Sequence, residues 1–258
     1  MPPPANPSSD LTGRVALVTG GAVGIGRATA LALARAGAVV GVHYHTSASA
    51  AEETAGLVRQ SGGTALLLQA DLTDEAQANG VVDRLLAQAG RLDVLFNNAG
   101  SPLARSRIED CPTELWRRAF DLNVTAAFFV TRRAVPALRA SGRGSVVNNL
   151  TLSVQTGGAN GAGPYAAAKG ALQVLTRTLA RELAPEVRVN AVMPGVIATR
   201  HHEAFSTPER MEEYRRQTPL GRNGTAAEVA QAVLFLAGDA AGFVNGALLD
   251  VNGGRFLR

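Results

Sequence analysis

The stretch Thr19-Gly20-Gly21-Ala22-Val23-Gly24-Ile25-Gly26 decides the fold. It follows an apolar run, Val15–Thr19, and opens a segment of helical period in which Ile25, Thr29, Ala32 and Ala36 share one face and Gly37 marks the stop. Glycines between a strand and a helix allow a tight turn, close approach of the backbone to a ligand, and close packing of helix on strand. The helix start then offers unpaired N–H groups and a partial positive charge, a setting that suits a pyrophosphate. Taken bare, the pattern has a turn as its alternative reading. Its place between an apolar strand and an amphipathic helix gives it weight.

The same alternation continues outward. Apolar runs at Val39–Tyr44, Ala65–Ala70, Val94–Asn97, Ser145–Asn149, Val187–Val192 and Ala247–Val251 have the unbroken character of strands buried on both faces. Between them the spacing predicts helices at about 25–36, 49–60, 75–89, 114–140, 165–184 and 225–238. Thr73 is the expected N-cap of the third, with Asp74 and Glu75 near the positive end of its dipole. Strand–helix alternation sustained to the end predicts an α/β domain over residues 11–258, a doubly wound parallel sheet of about seven strands with helices on both faces. Residues 1–10 read as a flexible tail. One long connection, about 199–222, reads as a substrate loop.

Composition excludes several classes. The 258 residues are 46% hydrophobic and 18% charged, with mean hydropathy +0.07, so the chain builds a core and is not disordered. Its apolar runs are short and broken, which argues against a membrane span. Residues 2–9 have no basic start or apolar stretch, so no secretory signal is expected there. The single cysteine, Cys111, leaves no intramolecular disulfide and no thiolate cluster, and a cytoplasmic setting is expected. Net charge is +4 with a pI near 10.0, yet aromatics are 5% and the arginines are scattered, so nucleic acid is not the expected partner.

The second strand ends His43-Tyr44-His45-Thr46-Ser47, and no carboxylate occurs from Val39 to Ala51. In this architecture an acidic group there would hold the ribose hydroxyls of NAD. Polar groups in its place accommodate a 2′-phosphate, so NADP(H) is favoured, with NAD(H) the alternative. His43 and His45 read equally well as ordinary strand-end histidines.

Taken together, Thr19–Gly26, Asp71-Leu72, Asn97–Gly100 (NNAG), Asn123, Tyr165-x-x-x-Lys169, Pro194-Gly195 with Thr199, and Asn252-Gly253-Gly254 resemble the classical short-chain dehydrogenase/reductases, over nearly everything from Leu11 to Gly254. The look is that of the ketoacyl-carrier reductase and sugar-alcohol dehydrogenase branch, and HYHTS is similar to the pteridine-reductase branch. The resemblance implies a Rossmann-like fold, hydride transfer between a nicotinamide and a carbonyl or secondary alcohol, and a homotetramer. It also implies that Gly20, Val23, Gly24, Ile25 and Gly26 cradle the pyrophosphate. Tyr44, His45, Thr46 and Ser47 face the adenosine ribose, and Asp71 and Leu72 the adenine. Asn98, Ala99 and Gly100 then pass the ribose, and Pro194, Gly195, Ile197 and Thr199 hold the carboxamide. Val23 departs from the basic residue that many NADP-preferring relatives carry.

Tyr165 and Lys169 stand four apart on a predicted helix and project from one face. Bringing a tyrosine from a pKa of about 10 to near 7 takes roughly 4 kcal/mol, and a nearby ammonium has the right sign. The resemblance makes Tyr165 the general acid and base, makes Lys169 the group that lowers its pKa and binds the nicotinamide ribose, and gives Asn123 a water linking Lys169 to solvent. Asn123 reads otherwise as a structural helix-bending amide. The family serine thirteen residues before the tyrosine is displaced, because that position is Leu152. Strand register favours Thr151, and Ser153 is the alternative. Adjacent His201 and His202 lack the spacing of a metal site, and none is expected. Arg200, Arg210, Arg215 and Arg216 hint at an anionic substrate group but read equally as solvated charge. The reading from another class is a catalytically silent dinucleotide-binding regulator or scaffold.

Overall fold

A computed structural model of the chain describes residues 10–158, 160–199 and 206–257. Seven parallel strands make one sheet: β1 (Val15–Val18), β2 (Val39–Tyr44), β3 (Thr64–Gln69), β4 (Val94–Asn97), β5 (Gly144–Asn149), β6 (Val187–Pro194) and β9 (Leu248–Val251), in the order β3-β2-β1-β4-β5-β6-β9. A second sheet pairs β7 (Ile197–Ala198) with β8 (Gly224–Thr225). This is the doubly wound, Rossmann-like fold expected from the alternation.

Helices cover both faces, which is why the strands are apolar throughout rather than alternating. On one face α1 (Gly24–Arg35), α2 (Ala48–Gln60) and α9 (Ala226–Ala237) bury Leu33, Val58 and Val233 against Val18, Val40 and Phe96. On the other, α3 (Glu75–Ala89), α5 (Ala126–Ala140) and α7 (Gly163–Glu182) bury Val82, Val130 and Ala180 against Leu17, Leu95 and Val189.

Local chemistry moves three expectations. The cap of α3 is Asp74, whose carboxylate accepts the Gln77 N–H; Thr73 instead donates its hydroxyl to Asp71 at 2.7 Å. The helix expected over 114–140 is α4 (Thr113–Phe120) and α5 joined by a π-helical turn at Asp121–Thr125. Within the long connection lies α8 (Pro208–Arg216), capped by Thr207. It carries no buried residue, so it has no apolar stripe to betray it, and i,i+3 pairs Glu212–Arg215 and Glu213–Arg216 run along it. A one-turn α6 (Ser153–Thr156) follows β5.

Candidate active site

The site forms at the carboxyl edge of the sheet, where the chain leaves β1 toward β2 and β3 on one side and returns through β4 on the other. The glycine loop is clamped there. Gly20 N–H donates to His43 Nδ1 at 3.0 Å and Gly21 N–H to the His43 carbonyl at 2.8 Å. The Asn98 Nδ2 donates to the carbonyls of Thr19 and Gly20, both at 3.0 Å, while the Thr19 hydroxyl accepts the N–H groups of Asn98 and Ala99. A Cβ on Gly26 would lie 2.0 Å from the Gly20 carbonyl oxygen, so glycine is what lets α1 begin this close to the turn. Val23 precedes α1 and stays half-exposed, and Ile25 packs partly on the core. No side chain caps α1 and its first turn holds no carboxylate. Gly24 faces only the Thr199 side chain, whose methyl would lie 3.7 Å from an added Cβ. This cradle of amide donors without a carboxylate fits a dinucleotide pyrophosphate.

Beyond the loop, Tyr44 ends β2 half-buried, and His45, Thr46 and Ser47 are exposed. Leu72 is buried beside Asp71, whose carboxylate accepts the Thr73 hydroxyl and N–H, bonds that hold it below its ordinary range. His45 Nε2 lies 4.0 Å from Asp71. The two strand-end histidines differ. His43 is buried, donates from Nε2 to the Ala70 carbonyl at 3.2 Å, and is pushed down to about 4 by burial. It is neutral at pH 7 and offers no positive charge.

At the other end, Pro194 closes β6, the Gly195 N–H donates to the Val251 carbonyl at 3.0 Å, and the buried Ile197 carries the loop to Thr199. The β5–β6 ladder runs on past the strand through Leu150 N–H to Val192 and Leu152 N–H to Pro194, both at 2.9 Å, which fixes the register of Thr151. Its hydroxyl is near enough to the Tyr165 phenol to favour the ionised form, and it accepts the Ser153 N–H at 3.2 Å. Ser153 thus meets the cluster through its backbone, as the first residue of α6. Between Thr151 and Tyr165 the chain passes through a turn where Gly157, Gly158, Asn160 and Gly161 are all left-handed.

Tyr165 is half-buried on the first turn of α7, and Lys169 is buried one turn on. Burial pushes the phenol up to about 12, opposed by the Thr151 hydroxyl, and pushes the Lys169 ammonium down to about 8. Lys169 is not among the groups that set the phenol's direction here. Lys169 Nζ instead donates to the Asn149 carbonyl at 2.7 Å.

Asn123 sits buried in the π turn. Its Nδ2 donates to the carbonyls of Ser101 (2.8 Å) and Ala119 (2.9 Å), and its Oδ1 accepts the Ser101 N–H at 3.0 Å. Gly100 passes between this amide and Lys169: an added Cβ would lie 2.6 Å from Asn123 Oδ1 and 3.1 Å from Lys169 Nζ. The amide thus ties the loop after β4 to the π turn.

Two residues escaped the sequence reading. Asn149 links the ends of the site, because its Nδ2 donates to Asn98 Oδ1 at 2.9 Å while its carbonyl holds Lys169. His43 is the second: part of a strand end expected either to accommodate a 2′-phosphate or to be ordinary, it turns inward onto Gly20. The polar pair Asn148-Asn149 ending an apolar strand was the available signal. Of the arginines, Arg215 and Arg216 pair with Glu212 and Glu213, and Arg210 donates to the Tyr214 hydroxyl. Arg200, His201 and His202 lie outside the described residues.

The chain is similar in sequence and fold to known proteins. A family model described as Enoyl-(Acyl carrier protein) reductase matches residues 20–255. The uncharacterized oxidoreductase YgfF of Escherichia coli (strain K12) is 40% identical, covering 93% of this chain and 99% of its own. The cyclopentanol dehydrogenase of Comamonas sp. (strain NCIMB 9872) is also 40% identical, over 93% of this chain and 96% of its own. Among solved structures, a 7α-hydroxysteroid dehydrogenase complexed with NADH and 7-oxo glycochenodeoxycholic acid superposes with a TM-score of 0.91 at 33% identity, covering 96% of each chain. On the family match over most of its length, these relatives and the shared Rossmann-like sheet, the chain belongs to the short-chain dehydrogenase/reductase family and is a nicotinamide-dinucleotide-dependent oxidoreductase acting on alcohol or carbonyl groups.

Proposed function

We propose that the protein interconverts a secondary alcohol and its ketone, with NADP(H) preferred to NAD(H). The observation that carries this reading is the placing of Tyr165 and the buried Lys169 one turn apart on α7, with Lys169 held by the Asn149 carbonyl at the end of β5, beside the glycine loop. When bound, the dinucleotide supplies or accepts the hydride. Gly20, Val23, Gly24, Ile25 and Gly26 hold its pyrophosphate, Asp71 and Leu72 its adenine, Asn98, Ala99 and Gly100 its ribose, and Pro194, Gly195, Ile197 and Thr199 its carboxamide.

In reduction the Tyr165 hydroxyl gives its proton to the substrate oxygen as the alkoxide forms; in oxidation the phenolate takes it back. A phenol near 12 is protonated at neutral pH, the form reduction needs. Thr151 bonds the same oxygen and orients it, with Ser153 as the alternative hydroxyl. An ammonium has three donors, and Lys169 spends one on Asn149, so two serve the ribose hydroxyls. Asn123 keeps Lys169 in place through the Ser101 loop and is the candidate holder of the water linking Lys169 to solvent.

The preference for NADP(H) rests on the carboxylate-free rim of Tyr44, His45, Thr46 and Ser47. The 7α-hydroxysteroid enzyme is described with NADH, so the preference is this chain's own feature to test. Relatives named for cyclopentanol and for a hydroxysteroid support a ring-borne secondary alcohol as substrate. Exposed Trp116, Phe128 and Val174 on one side and Phe235 and Phe243 on the other support a homotetramer. The single cysteine supports a reducing, cytoplasmic setting. We take 11–258 as one catalytic domain. The test is oxidation of NADPH and of NADH against a panel of cyclic ketones, with Tyr165→Phe alongside. Turnover in the native chain, abolished in Tyr165→Phe with NADPH affinity kept, is expected. Turnover surviving in Tyr165→Phe refutes the acid–base role, and no turnover with any ketone or alcohol favours the silent dinucleotide binder.

A further inference from the structure

Gly20 is bonded from both sides: its N–H donates to His43 Nδ1 at 3.0 Å and its carbonyl accepts Asn98 Nδ2 at 3.0 Å. The Asn98 side is the end of a chain that begins at Lys169 and passes through Asn149. The His43 side continues through Nε2 to the Ala70 carbonyl at 3.2 Å, next to Asp71. His43 therefore joins the glycine loop to the end of β3. We infer that His43 is a positioning residue that sets the glycine loop for the dinucleotide by accepting the Gly20 N–H. This inference rests on the proposed dinucleotide chemistry.

Several facts point one way. An imidazole that accepts at Nδ1 and donates at Nε2 is neutral and held in a single tautomer. His43 is 3% exposed, so water does not replace the bond if the ring is removed. Gly20 is left-handed, with φ +61°, and a Cβ there would meet the Ala99 Cα at 3.1 Å, so its peptide has little room to re-form elsewhere. The same geometry separates His43 from its neighbour His45. His45 is exposed on the rim, where a 2′-phosphate would lie, whereas His43 is turned inward and reads the backbone.

The experiment measures NADPH and NADH dissociation constants by nucleotide fluorescence for the native chain and for His43→Leu, His43→Asn and His43→Gln, each checked for folding by circular dichroism. Asparagine places an acceptor where Nδ1 stands and loses the contact to Ala70; glutamine reaches toward Ala70 and loses Gly20. The expected result is that His43→Leu and His43→Gln weaken NADPH and NADH equally, by about 5- to 100-fold, as for the loss of one buried hydrogen bond. His43→Asn is expected to return both to within about threefold of the native chain. The KM for dinucleotide should rise with kcat changed less. Four results overturn the inference. If His43→Leu changes the NADPH constant alone, His43 is a phosphate ligand. If a folded His43→Leu binds both as the native chain does, the contact is merely structural. If His43→Gln rescues and His43→Asn does not, Ala70 and not Gly20 is the partner that matters. If no replacement folds, His43 is a stability residue. Should the native chain bind neither dinucleotide, the proposed function itself fails, a distinct outcome.

Discussion

A hydroxyl is placed by the backbone that carries it, and the strand ladder extending to Leu152 makes Thr151 the residue aimed at Tyr165. Thr151→Val keeps the shape and removes the donor. It should lower single-turnover reduction by one to a few orders of magnitude, since oxyanion-type donors contribute about 2.7–4 kcal/mol. Ser153→Ala should cost less than about tenfold, because Ser153 touches the cluster through its N–H. The opposite ranking transfers the role to Ser153. A pH dependence follows from Lys169. Burial lowers it to about 8, so raising the pH through 8 removes the ammonium, while Tyr165, pushed up to about 12, stays protonated. The kcat/KM for the dinucleotide reports the free enzyme and should fall along a limb near pH 8. Arginine holds its charge far above that, so Lys169→Arg, however slow, should lose this limb; an unchanged limb means another group titrates.

At the scale of elements, the end of β2 tests the choice of dinucleotide. Tyr44 is its last residue, and Tyr44→Asp puts a carboxylate where a 2′-phosphate is expected and where ribose hydroxyls would accept one. The native chain should bind NADPH more tightly than NADH, and the variant should reverse the order in paired titrations. Tighter NADH binding by the native chain defeats the proposal. What the sequence displayed at this scale is what local chemistry controls. Apolar runs mark strands buried on both faces, and the strands came out within a residue or two of their expected ends. Where side chains compete, it misled: Asp74 took the cap of α3 because Thr73 was engaged by Asp71. The π turn left no trace, since Asp121–Thr125 continues a helical period while the Asn123 amide within it reaches Ser101. α8 was invisible because a helix held by surface ion pairs has no apolar face. The bridge from Lys169 through Asn149 and Asn98 to Gly20 was illegible for a different reason: its partners are 20 to 78 residues apart, and only strand order makes them neighbours.

For the whole molecule, the outer surfaces of the two helical layers make the last prediction. Trp116 on α4, Phe128 on α5 and Val174 on α7 are exposed on one side of the sheet, and Phe235 on α9, with Phe243 beyond it, on the other. Phe128 lies under the Arg132 guanidinium, 4.8 Å from its ring centroid, so part of this surface is already ordered. Large aromatic side chains left in water on two opposed areas are what a dihedral tetramer needs, because each area builds one kind of two-fold contact. Sedimentation equilibrium should therefore give four times the 26.7 kDa chain mass. Phe128→Glu should leave dimers held by the second area, Phe243→Asp should leave dimers held by the first, and the two together should leave monomers. A native chain that sediments as a monomer contradicts the tetramer outright. A tetramer that survives both substitutions shows that the contacts lie on other surfaces.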